Sequence, residues 1–122
     1  MEIGEIYYMD VEFEEQPNKS KNRPVIIFGE HEEEILLLIS TTTKGRKHPI
    51  SYYDQFKIPI PNWRKSGLSE PSWCRGYRLI EISKAQFKKI VKKHDYIGKL
   101  HPEDFNYILE EFVKIHKANQ PI

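Results

Sequence analysis

Two apolar runs, PVIIF at 24–28 and ILLLI at 35–39, stand on either side of the polar segment GEHEEE. Each is five residues long, which suits a strand and falls short of the ~10–12 residues a helix needs. A strand with one wet face alternates apolar and polar side chains. These two runs do not, so both faces of both strands must be covered. Any fold for this chain is therefore built around a buried hairpin, with the acidic turn at Glu30 to Glu33 between its strands. The sheet must either carry layers on both sides or curl on itself.

The flanking sequence supplies those layers. EIYYMDVEF (5–13) alternates bulky and polar residues and reads as a strand; EEQPNKSKN (14–22), with Pro17, reads as a loop. TTKGRKHP (42–49) is a second polar, basic loop. ISYYDQFKIPI predicts a further strand or two, confined to an edge or a strand end by Pro59 and Pro61. PNWRKSG reads as one helical turn and SWCRGYRLIEI as a strand. Ser83 is placed to cap a helix over SKAQFKKIVKK, with Phe87, Ile90 and Val91 on one face and Lys88, Lys89, Lys92 and Lys93 outside it. After the short strand DYIGKL, Pro102 opens a last helix whose stripe is Phe105, Ile108, Leu109, Phe112 and Val113. The order is β-rich first and helical later. It predicts an α+β fold, a small barrel or strongly curved sheet with helices packed on it.

Length and composition bound the rest. A chain of 122 residues makes one domain with a single modest core. The longest apolar run is too short to span a membrane, and MEIGEIYY does not resemble a signal peptide. The single cysteine, Cys74, excludes an internal disulfide and a thiolate metal cluster. A cytoplasmic location is expected. The net charge of +1 hides an asymmetry: residues 1–34 carry three basic and ten acidic side chains, residues 35–100 fourteen basic and four acidic. A basic middle segment attracts polyanions, although lysines also simply solvate helix faces. The five histidines are scattered, without metal-ligand spacing, and no phosphate-binding glycine loop or dinucleotide fingerprint occurs. No metal or cofactor is expected.

Arg23 is the residue least at home in this pattern, because it stands at the mouth of a buried strand. As an edge arginine it would pair with Glu12, Glu14 or another carboxylate. A second reading comes from the ordered set GEIYYMDV, NRPVIIF, ILLLISTT, PNWRKSGLSEPSW, YRLIEI and YIGKLHPEDF, which resembles the MazF/PemK-type toxins of type II toxin–antitoxin systems. The resemblance runs from about Gly4 to Phe112. It implies an SH3-like β-barrel with peripheral helices, a homodimer, an antitoxin partner and metal-independent cleavage of single-stranded RNA. In that family the arginine of the RP motif and a threonine or serine ending the next strand form the catalytic pair. These positions fall on Arg23 and Ser40, with Thr41 beside it; the arginine of the later strand falls on Arg78.

An arginine suits that chemistry. RNA carries its own nucleophile, the 2′-hydroxyl, and the barrier lies in charge building on the phosphate oxygens. A fixed guanidinium fork offers paired donors to those oxygens, as lysine does not. The two polar loops supply Lys19, Ser20, Lys21, Thr42, Lys44 and Arg46 as candidate contacts to the RNA backbone. Tyr52, Tyr53, Trp63 and Trp73 are candidates for stacking on bases, with Trp73 expected to be structural. His101 is expected at the start of the last helix. Two alternatives stand beside the ribonuclease: an SH3-like module that binds RNA or protein without cutting it, and a toxin of the gyrase-poison type. The loop before Arg23 has no glycine, and Ser40 stands where many relatives have threonine, so the module keeps a claim.

Overall fold

The computed structural model describes residues 1–12 and 18–118. Its strands are β1 (Glu5–Glu12), β2 (Ser20–His31), β3 (Ile35–Thr42), β4 (Lys57–Pro59), β5 (Trp73–Arg75), β6 (Ile80–Ser83) and β7 (Tyr96–Lys99). The helices are α1 (Lys84–Ile90) and α2 (Pro102–Ala118), with short 3₁₀ turns at Tyr53–Phe56 and Lys93–Asp95. The seven strands form one antiparallel sheet in the order β4-β5-β3-β2-β1-β7, with β6 also paired to β3. The fold is α+β and β-rich, with helices at the periphery as expected. The sheet is not closed into a barrel: β4 and β7 are its two ends.

The buried hairpin is the centre. Residues on β2 and β3 alternate between two cores. Ile26, Phe28 and Ile39 face the cluster that receives Ile108 of α2, while Val25, Ile27, Leu36 and Leu38 face the cluster that holds Phe87 and Val91. Both faces are covered, which is why neither run alternates with polar residues. β2 and β3 are joined in register from Val25↔Ser40 to His31↔Ile35, with one irregularity between Ile27 and Gly29. Glu32 and Glu33 turn the chain at positive φ.

Several sequence expectations are redrawn. Ser20, Lys21 and Asn22 are not loop residues but extend β2 against Glu12, Val11 and Asp10; Pro17 and Glu14 lie outside the described residues. Tyr53–Phe56 is a 3₁₀ turn, and only Lys57–Pro59 is strand, on the sheet edge as Pro59 requires. SWCRGYRLIEI is not continuous. β5 and β6 both lie along the same edge of β3, with Thr41↔Cys74 and Leu38↔Ile80, so five residues, Arg75 to Leu79, span the two β3 positions Ile39 and Ser40. The surplus residues are taken up by a turn at Gly76 and Tyr77, and the buried Gly76 amide donates to the Phe56 carbonyl at 3.0 Å. A Cβ there would come within 2.6 Å of that oxygen, so only glycine fits.

The caps follow the sequence. The Ser83 hydroxyl accepts from the Gln86 amide at 3.1 Å, and the His101 Nδ1 accepts from the Glu103 amide at 3.3 Å. α1 ends at Ile90, which is exposed with the lysines rather than buried beside Phe87. On α2, Ile108 is buried and Phe105 and Phe112 pack on the core, while Leu109 and Val113 of the expected stripe are exposed.

Candidate active site

Pro24 sets the local geometry. Having no amide hydrogen, it cannot donate to a neighbouring strand, and the regular β2–β3 register begins only at Val25↔Ser40. At this point the Thr41 hydroxyl donates to the Pro24 carbonyl at 2.8 Å and replaces the missing ladder bond. Arg23 Nη1 donates to the Thr41 carbonyl at 3.2 Å. The two strands are thus tied by side chains where backbone pairing gives out. That answers why a guanidinium stands at the mouth of a buried strand: its stem is half-buried and its fork is held against β3.

Arg23 and Thr41 line an open cleft of about 210 Å³ together with Lys21, Asn22, Pro24, Thr42 and Thr43. Tyr8 of β1, the cross-strand partner of Pro24, and Leu68, Ser69, Glu70 and Ser72 complete the lining. The Thr42 hydroxyl accepts from the Lys44 amide at 3.2 Å, which turns the chain away from the cleft.

Ser40 pairs with Val25, two positions along β2 from Arg23. Its side chain is buried and its Oγ receives Nη1 of Arg75 at 3.4 Å. Arg75 is the last residue of β5, just before the stretch that passes Ser40. Burial, and then the guanidinium of Arg78, lower its pKa from the ordinary arginine value. Two cations crowded in this way gain from an anion placed against them. Arg78, the arginine on which the family pattern falls, is exposed; Arg75, which the sequence pattern does not single out, is the arginine that reaches Ser40. The signal was the pair of arginines either side of Gly76, which a continuous strand would have sent to opposite faces less usefully.

The remaining candidates lie apart. Lys19 and Ser20 are exposed at the start of β2 and do not line the cleft. Lys44 and Arg46 ride on the 43–52 segment, where Arg46 Nη2 donates to the Lys57 carbonyl at 3.1 Å. That segment is pinned by buried Asp54, which accepts from the amides of Lys47 at 2.9 Å and Ser51 at 3.1 Å and pairs with Lys57 Nζ at 2.7 Å. Lys57, then those amides, hold the Asp54 carboxyl well below the usual range. Tyr52 and Tyr53 form an aromatic cluster with Phe56 and Tyr77. Trp73 is structural: Gly45 lies so close to its indole that a Cβ would come within 2.9 Å. Trp63 packs on the core with the Arg64 guanidinium over its ring at 4.9 Å. Among the described residues, no group of three or more His, Cys, Asp or Glu is placed to hold a metal ion, and no helix is long and apolar enough to cross a membrane.

Comparison with curated proteins finds no match. The family model for the PemK-like, MazF-like toxins of type II toxin–antitoxin systems matches residues 2–116. That match spans every strand, both helices to within two residues of the end of α2, and the whole Arg23–Thr41 cleft. The chain belongs to the PemK-like, MazF-like toxins, the toxin half of type II toxin–antitoxin pairs, and its partner class is therefore an antitoxin.

Proposed function

We propose that this toxin is an endoribonuclease that cuts single-stranded RNA by attack of a 2′-hydroxyl on the adjacent phosphate, without a metal ion. The observation that carries the reading is the Arg23 fork, held by the Thr41 carbonyl beside an open cleft that also receives Lys21. The phosphate lies against Arg23; Ser40 and Arg75, which do not line the cleft, are assigned to its second flank. As the 2′-oxygen attacks, negative charge grows on the non-bridging oxygens and the two guanidinium groups stabilise it. A preorganised donor of this kind is commonly worth roughly 3–4 kcal/mol. The Ser40 hydroxyl hydrogen-bonds a phosphate oxygen or the attacking hydroxyl. Thr41 serves by tying β3 to Pro24 and presenting the carbonyl that orients Arg23.

Lys19, Ser20, Lys21, Thr42, Lys44, Arg46 and Arg78 are the proposed contacts to the rest of the strand. A homodimer restrained by an antitoxin, acting in the cytoplasm as one domain over 1–122, completes the reading. The test is incubation of labelled single-stranded RNA with the protein in excess EDTA, beside Arg23→Ala. Fragments ending in 2′,3′-cyclic phosphate with the parent protein, and intact RNA with the variant, are expected. Bound but uncut RNA would point instead to a binding module.

A further inference from the structure

The cleft that Arg23 lines also contains a carboxylate. Glu70 lines the same 210 Å³ space as Lys21 and Arg23. Among the described residues no hydrogen bond or ion pair engages its side chain, although two cations share the cleft. Its backbone is not free to drift. The Ser72 hydroxyl donates to the Glu70 carbonyl at 2.9 Å, the Ile60 amide donates to the Ser72 carbonyl at 3.0 Å, and Leu68 is buried in the core. At the start of the segment Gly67 adopts φ +90° against the Ile97 carbonyl. Glu70 is thus presented from an anchored segment, which is what a recognition group requires.

A carboxylate in a cleft meant for a polyanion is unfavourable unless the ligand brings donors to it. We infer that Glu70 reads the base next to the cut phosphate and selects guanine, resting on the ribonuclease reading for the identity of the polymer. The Watson–Crick edge decides the choice. Guanine alone presents two adjacent donors, N1–H and the 2-amino group, which a carboxylate accepts together. Adenine and cytosine each set one amino donor beside a ring-nitrogen acceptor, and uracil sets one N–H between two carbonyls. Each of those edges turns a lone pair toward the carboxylate. Tyr8 and Pro24 give the ring an apolar wall, and Lys21 and Arg23 take the phosphate. The space is below the ~300 Å³ at which drug-sized pockets begin, the scale of one base rather than a folded strand.

Titration of the intact protein with guanosine, inosine, adenosine, cytidine and uridine 3′-monophosphates, followed by NMR shifts, tests this without reference to cleavage. Guanosine monophosphate is expected to bind about tenfold or more tighter than the others, the effect of one bidentate pair. Inosine monophosphate, lacking the 2-amino group, should lose most of that advantage. Glu70→Gln should level the series, with the weaker nucleotides binding at least as tightly as to the parent once the like charge is gone; Glu70→Asp should keep the order at reduced strength. Equal binding of all five, binding of none, or an unchanged order in Glu70→Gln overturns the inference. Mapping cut sites on an RNA of varied sequence separates the two proposals. Cleavage without guanine bias refutes Glu70 as the reader and leaves the nuclease standing; guanosine preference without cleavage does the reverse.

Discussion

Thr41→Val removes one hydroxyl and nearly nothing else. The side chain is 1% exposed and its hydroxyl donates to the Pro24 carbonyl at 2.8 Å. Valine has the same shape but no donor, so the Pro24 carbonyl is left without this bond in a part of the hairpin where Pro24 itself offers none. Leaving this half-buried carbonyl without its donor costs at most the ~1–3 kcal/mol of an unsatisfied buried group, a large share of a stability of about 5–15 kcal/mol. Strand-joining is affected, yet the Thr41 carbonyl that receives Arg23 belongs to the backbone and survives the change. The expected outcome is a urea midpoint lowered by at most that ~1–3 kcal/mol with an unchanged slope. RNA cleavage per folded molecule should fall by less than about tenfold, equivalent to ~1.4 kcal/mol. Thr41→Ser keeps the donor and should lose only about 0.8 kcal/mol for its missing methyl group. Equilibrium unfolding followed by the fluorescence of Trp63 and Trp73, at one fixed protein concentration, provides the stability arm. If Thr41→Val is as stable as the parent but inactive, the hydroxyl serves the chemistry and the strand-tying role is refuted.

Three other perturbations test separate parts of the site. Arg75→Lys keeps a charge but loses the fork that reaches Ser40, and should lower turnover by roughly 10²–10³; unchanged turnover with a folded protein would remove Arg75 from the mechanism. Asp54→Asn should loosen the 43–52 segment, and its effect should depend on pH. Because the folded carboxyl is held below its ordinary value, its stabilisation is present above the ordinary pKa of ~3.9 and is lost as pH falls toward the folded value. Urea midpoints of parent and variant should therefore differ most at neutral pH and converge below about pH 3.9, and a constant difference would refute the account. Gly67→Ala places a Cβ 2.6 Å from the Ile97 carbonyl at φ +90°, and thermal melting should show a loss of at least ~2 kcal/mol, or no folded protein.

Much of this molecule is readable from local pattern. The unbroken apolar runs at 24–28 and 35–39 demand cover on both faces, and the two cores on either side of β2 and β3 supply it. Ser83, Pro102 and His101 mark helix starts because capping depends on a few neighbouring residues. Arg23 and Thr41 draw notice as polar groups at the ends of buried strands. Local pattern does not say how the far edge of β3 is shared. That both β5 and β6 lie along it, with five residues over the two positions Ile39 and Ser40, depends on pairings across some forty residues. This alone turns Arg75 toward Ser40 and leaves Arg78 outside. The open ends of the sheet and the sharing of one cleft by Glu70 and Arg23 have the same origin, for they depend on where strands distant in sequence come to rest. Sequence by itself determined the central hairpin, the starts of both helices and most of the residues that seek cover, because those preferences act over a few residues. Only the tertiary structure decided which polar groups share a cleft, because that is set by register and by the space that Gly67 and Gly76 leave between chains.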